Sequence, residues 1–230
     1  MNVFFITGID TGCGKTFATG LMARWLKEQG VTVITQKLVQ TGCTGISEDI
    51  LEHRRLMGCG LFPEDKEGIT CPYVFPFPAS PHLAASLKDT EVDMITLSDS
   101  TFRLAQHYDM VMLEGAGGLH VPLTRNVLTI DYIKMKNYPV ILVSSSKLGS
   151  INHTLLSIET CFVHGINLHA LLYNRLPDNN AIIADDTIKM IKKTLQVNYP
   201  HTKVAEISNE GVDEDFSIVF NGVRHNKSIQ

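Results

Sequence analysis

The feature that most constrains this chain is a glycine-rich turn near its start, placed between a short apolar run and a helical pattern. Residues 3–6 are β-branched, aromatic or otherwise apolar, which predicts a buried parallel strand. The turn ends in Gly14-Lys15-Thr16, and apolar residues at helical spacing follow it. A strand, a glycine loop, Gly-Lys-Thr and a helix together form the context that distinguishes a phosphate-binding loop from an incidental turn.

This loop is suited to the phosphates of a nucleoside triphosphate. Glycines let backbone N–H groups close around phosphate oxygens, and the helix N-terminus adds partial positive charge. We expect Lys15 to reach the β- and γ-phosphates and the Thr16 hydroxyl to bind Mg²⁺. Because position 9 is Ile and the first glycine is Gly8, the loop is one residue longer than its common form.

Length and composition favour one α/β domain spanning residues 1–230, with a frayed tail at about 221–230, although length alone also allows two small domains. The formal net charge is −4 and no basic block occurs, so nothing indicates a nucleic-acid partner. No apolar run approaches membrane-spanning length, and the start carries no charged leader. We therefore expect a cytoplasmic protein without a membrane partner.

The cysteines and histidines predict neither disulfides nor zinc. The five cysteines form no Cys-x-x-Cys pair, and their odd number in such a chain favours reduced thiols. The nine histidines are scattered, without the paired spacing of a zinc site. Cys13 lies inside the phosphate loop, where it is either a small packing residue or a thiol whose pKa the helix N-terminus lowers.

Polar residues follow several predicted strands at the point where each strand ends. Lys37 and Thr41 come after a strand predicted at 31–35, Glu114 after one at 110–113, and Asn174-Arg175 after one at 168–173. Each has a simpler interpretation: a surface lysine, an exposed Glu in a glycine turn, and an Asn that caps a turn. Their common position at carboxyl ends of strands favours a single active site along one edge of a parallel sheet.

The remaining pattern completes a mostly parallel sheet with helices on both faces, a P-loop NTPase-like α/β fold. Further strands are predicted at 139–143 and 202–207, and helices at 47–52 onward, from Pro81, at 155–162 and at 181–195. Residues 95–108 form a polar amphipathic stretch. In the helix after Ser47, Asp49 is either a favourable first-turn acid or a Mg²⁺ ligand. The Pro- and Gly-rich segment 59–81 predicts an irregular excursion.

Taken together, four blocks of the sequence resemble the dethiobiotin synthetase family. They are GIDTGCGKT at 8–16, KLVQTG at 37–42, EGAGG at 114–118 running on to Pro122-Leu123, and VILV at 140–143 followed by KLG at 147–149 and Asn152-His153. Ser80-Pro81-His82 is a weaker match. The resemblance spans the chain up to about residue 175, and its specificity comes from the combination of blocks.

The resemblance implies an ATP-dependent enzyme that closes the ureido ring of dethiobiotin from diaminopelargonic acid and CO₂, through a carbamate and a phosphorylated carbamate. It implies catalytic roles for Lys15, Lys37 and Thr11, substrate contacts from Thr11, Lys37, Thr41 and Asn152, and Mg²⁺ bound by Thr16, Asp49 and Glu114. The implied nucleotide-binding residues are Gly12, Cys13, Gly14, Lys15, Thr16, Phe17, Asp49, Glu114, Gly115, Ala116, Gly117, Asn174 and Arg175. A homodimer with its substrate near the subunit interface is also implied.

The chain departs from the family pattern at three places. Leu38 stands where the family usually has proline, Gly12 replaces an acidic residue of some members, and the segment 207–210 lacks the proline of the usual base-binding region. Two other classes use related folds. Partitioning and septum-placement switch ATPases usually carry a second lysine early in the loop, which is absent here, and corrinoid amide synthases need a second domain for which 230 residues leave no room.

Overall fold

The computed structural model describes residues 3–176, 180–208 and 215–223. The strands in this part of the chain are β1 Val3–Gly8, β2 Val33–Lys37, β3 Gln40–Thr41, β4 Val74–Phe75, β5 Met110–Glu114, β6 Val140–Ser145, β7 Leu168–Asn174 and β8 Lys203–Ile207. The helices are α1 Lys15–Glu28, α2 Glu48–Leu56, α3 Pro63–Lys66, α4 Pro81–Ser86, α5 Met94–His107, α6 Thr129–Lys136, α7 Ser150–His164, α8 Ala181–Asn198 and α9 Ser217–Phe220.

Six strands form one sheet in the order β2-β5-β1-β6-β7-β8, and all of its neighbouring pairs are parallel. Consecutive sheet residues alternate between two cores. Phe5 packs with residues of α4 to α8, whereas its neighbour Phe4 packs with residues of α1, α2 and α9. This confirms the expected parallel sheet with helices on both faces, and it brings the carboxyl ends of β1, β2 and β5 together at one edge.

Three elements differ from the sequence prediction. Strand β2 starts and ends two residues later than expected, so Lys37 is its last residue rather than part of the following loop. Helix α6 was not predicted, because it spans barely two turns and its buried residues all lie before Lys134. The excursion 59–81 contains α3 and the short strand β4, which pairs in parallel with β3, since backbone groups of a buried segment require partners.

Helix α2 begins where Ser47 caps it: the Ser47 side chain accepts a hydrogen bond from the Ile50 amide. The buried face of this helix is not purely apolar. Leu51 is exposed, whereas Arg54 is buried and forms an ion pair with Asp65 of α3. A buried cation is stable here because a carboxylate from the excursion meets it, and that partner is invisible from the helix alone.

Candidate active site

The phosphate-binding loop has the backbone geometry that its glycines predict. It connects β1 to α1, and Gly12 and Gly14 adopt φ angles of +74° and +99°, which side chains disfavour. Gly14 is the N-cap of α1 without a side-chain cap, so the amides of the first turn remain available to an anion. The Lys15 ammonium donates to the Asp10 carbonyl at 2.9 Å and thus lies across the loop.

Four polar side chains from four different elements converge beside the loop. Thr16 Oγ1 of α1 lies 3.0 Å from Asp49 Oδ1 and 3.1 Å from Glu114 Oε1. Lys37 Nζ lies 2.5 Å from Asp49 Oδ2 and 2.8 Å from Glu114 Oε1. The parallel register of β2 and β5 places Lys37 directly opposite Glu114, so the pairing of the strands determines this contact. The simpler interpretations of Lys37 and Glu114 as surface residues are wrong, because both are buried.

The buried charges in this cluster stabilise one another. Burial opposes the ionisation of Glu114, but Lys37 and the hydrogen bond from His53 outweigh it and hold the pKa of Glu114 well below its usual range. Burial likewise lowers the pKa of Lys37, yet the Glu114 and Asp49 carboxylates raise it above its ordinary value. Lys37 is therefore a cation at neutral pH and suits electrostatic work rather than proton abstraction.

His53 is a member of this cluster that sequence reasoning missed. Its Nε2 lies 2.9 Å from Glu114 Oε2, and both side chains are fully buried. The sequence holds one usable signal: His53 is four residues after Asp49 on α2, so both side chains face the same direction. Before the orientation of α2 was known, a single histidine on a polar helix did not indicate a functional site.

The glycine turn after Glu114 packs against the phosphate loop. A Cβ at Gly115 would lie 2.9 Å from the Phe5 ring, and one at Gly118 would lie 3.1 Å from the Gly8 carbonyl oxygen. The Gly115 amide donates to the Ile6 carbonyl, and its own carbonyl accepts from Lys37. Close backbone approach explains these glycines and holds Glu114 beside the loop.

A cleft of about 800 Å³ opens over these side chains. Predicted residues that line it are Thr11, Gly12, Gly14, Lys15, Thr16, Phe17, Lys37, Thr41, Asp49, Glu114, Ala116 and Gly117. Residues 78–81 of the irregular excursion form part of its wall, a contribution that the sequence did not indicate. The cleft therefore combines the phosphate loop, the charged cluster and residues 78–81.

A second cavity of about 550 Å³ adjoins the cleft and shares Gly12, Gly14 and Phe17 with it. Asn174 lines it, but the Asn174 amide already donates to the Cys13 carbonyl at 3.2 Å and its carbonyl accepts from the Leu176 amide at 3.0 Å. Its turn-capping interpretation is thus observed in the structure. Cys13 itself is buried as a packing residue of the loop.

Arg175 and Asn152 are further predicted residues that do not line the cleft. The Arg175 guanidinium forms ion pairs with Glu206 at 2.7 Å and Asp185 at 2.9 Å. Asn152 is exposed in the first turn of α7, and the next residue, His153, lines a separate cavity of about 420 Å³ together with Asp10. In segment 207–210, whose sequence differs from the family's base-binding region, Asn209 and Glu210 lie outside the described residues.

The residues beside the loop fit a magnesium ion held jointly with a nucleotide. The Thr16 hydroxyl lies 3.0 Å from one oxygen of Asp49 and 3.1 Å from one oxygen of Glu114, which brings together three side chains with the oxygen ligands that Mg²⁺ prefers. Within the described part of the chain, no group of three or more His, Cys, Asp and Glu side chains is placed to hold a metal alone. Mg²⁺ commonly takes only one or two carboxylates and completes its shell with phosphates and water.

Comparison with known proteins identifies the family. The family model described as an AAA domain matches residues 2–211. The chain is 50% identical over 200 residues to the ATP-dependent dethiobiotin synthetase BioD 2 of Pasteurella multocida, covering 87% of this chain and 94% of that protein. It is also 50% identical over 214 residues to the ATP-dependent dethiobiotin synthetase BioD of Chlorobaculum tepidum, covering 93% and 90%.

The chain belongs to the dethiobiotin synthetase family. This confirms the resemblance carried by the four sequence blocks and the expected class of enzyme, an ATP-dependent ligase of biotin biosynthesis. The fold of a dethiobiotin synthetase is shared more widely. A ParA family ATPase from Chlorobium tepidum superposes with a TM-score of 0.53 at 15% identity, covering 91% of this chain and 86% of that one. At that identity the likeness shows the P-loop NTPase-like fold and nothing about switching activity.

No helix in the described ranges has the length and apolarity needed to cross a lipid bilayer.

Proposed function

We propose that this protein carboxylates 7,8-diaminopelargonic acid with CO₂ and closes the ring to dethiobiotin, consuming ATP. The observation that carries the proposal is the convergence of Lys37, Thr16, Asp49 and Glu114 next to the phosphate loop, at the base of a cleft with room for a second substrate. A protein that only bound nucleotide would not require a buried lysine paired with Asp49 and Glu114 beside the phosphate loop.

In the proposed reaction, one amine of the substrate attacks CO₂ and loses a proton to form a carbamate. A carbamate oxygen then takes the γ-phosphoryl group and ADP leaves. The second amine attacks the carbamate carbon, phosphate departs with its bonding electrons, and a further proton is released. The products are dethiobiotin, ADP and phosphate, and no covalent bond to the protein forms.

The chain's own contribution is positioning and charge. Lys15 would hold the β- and γ-phosphates, and Lys37 would stabilise negative charge on the γ-phosphate and carbamate. Thr11 lines the same cleft beside the loop, and Thr41 lies at the end of β3, where both could orient the carbamate and its carbon chain. Lys37 performs this role as a cation because its pKa is held above the ordinary value.

Thr16, Asp49 and Glu114 would hold Mg²⁺ together with the phosphates. The ion supplies charge neutralisation on the β- and γ-phosphates when it is bound. The adenine would enter the cavity lined by Phe17 and Asn174, where Leu21, Leu56 and Leu176 offer apolar contact. Arg175 would then act on the nucleotide only after leaving its ion pairs with Glu206 and Asp185.

The proposal includes a cytoplasmic homodimer whose partner faces helix α7. Leu148, Leu156 and Val163 are 80%, 53% and 72% exposed, and they share one stripe of the helix and its preceding loop with Asn152. Covering this stripe by a second copy would bring Asn152 toward a subunit boundary and the substrate carboxylate.

The decisive experiment is ATP-dependent fixation of labelled bicarbonate by the purified protein with Mg²⁺ and diaminopelargonic acid. Label should appear in an acid-stable product, in step with ADP release, and only when the diamine is present. ATP hydrolysis that ignores the diamine, without fixed label, would contradict the proposal and favour a switch ATPase.

Substitution of Lys37 tests its role within this reaction. Lys37→Gln should reduce turnover by about 10²–10³-fold, the usual effect of removing one preorganised charge or donor from a transition state. ATP affinity should change far less, because the loop supplies most nucleotide contacts. Retained turnover would remove Lys37 from the mechanism.

A further inference from the structure

We propose that His53 is a positioning residue that orients the Glu114 carboxylate toward the nucleotide. The inference rests on the proposed metal role of Glu114, and it adds a residue that neither the sequence pattern nor the proposed reaction assigns. It is carried by the way in which the two oxygens of one buried carboxylate are divided among their partners.

The two oxygens of Glu114 have different surroundings. Oε1 faces the nucleotide side, where it accepts from Lys37 Nζ at 2.8 Å and lies 3.1 Å from Thr16 Oγ1. Oε2 faces α2, and the hydrogen bond that the described residues give it comes from His53 Nε2 at 2.9 Å. Because a carboxylate oxygen accepts and cannot donate, Nε2 carries the hydrogen in this contact.

The bond to Glu114 is the one hydrogen bond that the His53 side chain forms within the described structure. Its side chain is fully buried, and its Nδ1 has no hydrogen-bond partner within the described structure. Burying an imidazole with one nitrogen unpaired costs free energy that an apolar side chain of similar volume would avoid. The bond to Glu114 is the feature that distinguishes His53 from such a packing residue.

Rotation about the last side-chain bond of a glutamate is intrinsically loose, so the plane of its carboxylate varies unless both oxygens are held. A donor fixed on Oε2 stops this rotation and holds Oε1 toward Thr16. His53 is itself held in place because α2 is capped by Ser47 and anchored by the Arg54–Asp65 ion pair. Partners of this kind behind a metal ligand are typically worth a factor of about 10–100 in metal affinity.

The test compares His53→Leu, which keeps the volume but loses the donor, with His53→Gln, whose side-chain amide can reach the position of Nε2. Leu51→Gln, at an exposed position of the same helix, is the matched control. The dissociation constant of Mn²⁺ from the complex with ADP is measured by electron paramagnetic resonance, and ADP affinity is measured separately in EDTA. Thermal midpoints report whether each variant is folded.

We expect His53→Leu to weaken Mn²⁺ binding by about 10–100-fold, with metal-free ADP affinity within about twofold of the parent. His53→Gln should recover most of the loss, and Leu51→Gln should match the parent. If His53→Leu does not fold, His53→Asn takes its place, since its shorter amide leaves Oε2 unreached, and it should be impaired where His53→Gln is not.

Three results would overturn the inference. Mn²⁺ affinity in His53→Leu or His53→Asn equal to the parent's would show that Glu114 needs no such partner. Equal loss of metal and metal-free ADP binding in both the Leu and Gln variants would show a general packing role. A parent protein with no ADP-dependent Mn²⁺ site would overturn the metal role of Glu114 as well, which separates failure of the proposed function from failure of the His53 assignment alone.

Discussion

Replacing Arg54 by Met should destabilise the protein strongly, although Arg54 touches no proposed substrate. Its guanidinium bonds both oxygens of Asp65, at 2.8 Å from Nε and 2.7 Å from Nη2, and donates to Thr35 Oγ1 at 2.7 Å. It also lies 4.7 Å from the centre of the Phe62 ring. Met fills a similar volume but leaves the buried Asp65 carboxylate without its cation.

The magnitude follows from burial. The Arg54 and Asp65 side chains are 3% and 0% exposed, so the carboxylate left behind cannot turn to water. Removing one partner of a buried pair costs about 3–5 kcal/mol in the free energy of unfolding. For a chain of this size, that corresponds to a thermal midpoint lower by roughly 6–20 °C.

The loss should depend on pH in a defined direction. In the parent, burial by itself raises the pKa of Asp65, but Arg54, Thr70 and the Phe62 amide outweigh it and hold the pKa below its ordinary value. Asp65 therefore stabilises the parent above its unfolded pKa of about 3.9, and this contribution is lost as pH falls through the lower folded pKa. In Arg54→Met, burial dominates, so ionised Asp65 destabilises the fold until acid protonates it. The difference in the free energy of unfolding between the parent and Arg54→Met should be largest near neutral pH and should decrease toward pH 4.

Urea unfolding at pH 7, pH 5 and pH 4 measures both effects. Arg103→Met is the control, because the Arg103–Glu67 pair is 3.9 Å apart with both side chains mostly exposed, and its loss should cost at most about 1 kcal/mol. An Arg54→Met protein within 1 kcal/mol of the control at pH 7, or a difference that does not decrease in acid, would refute the reasoning.

Three further outcomes are expected. Glu114→Gln should raise the Mg²⁺ concentration needed for half-maximal turnover by about tenfold or more; an unchanged Mg²⁺ titration would count against its metal role. Gly115→Ala should cost about 1–3 kcal/mol because its Cβ would lie 2.9 Å from the Phe5 ring, whereas Gly60→Ala, with open space at that position, should be nearly neutral by the same thermal unfolding measurement. Since its carboxylate partners raise the pKa of Lys37, MgATP affinity should be flat between about pH 7 and 9; a titration in that range that disappears in Lys37→Arg would contradict this.

Local sequence signals predicted those elements whose conformation is determined by a few consecutive residues. The phosphate loop needs positive φ angles at Gly12 and Gly14 and a helix N-terminus immediately after them, and all of these are written in consecutive residues. The strands of the central sheet are buried apolar runs, so their existence was predicted and their ends were placed within two residues. Short elements whose stability comes from neighbours, such as α6 and the β3–β4 pair, gave no such signal.

The sequence by itself determined the class of fold, the phosphate loop and the set of polar residues at strand ends, because periodicity and glycine conformations act over a few residues. Only the tertiary structure decided how those residues meet. The contact between Lys37 and Glu114 joins residues 77 apart through the register of two strands. His53 and Arg54 became interpretable once α2 was oriented, since each is buried against a partner from another segment. A buried charge depends on the geometry of its partner, and that geometry exists only after the chain has folded.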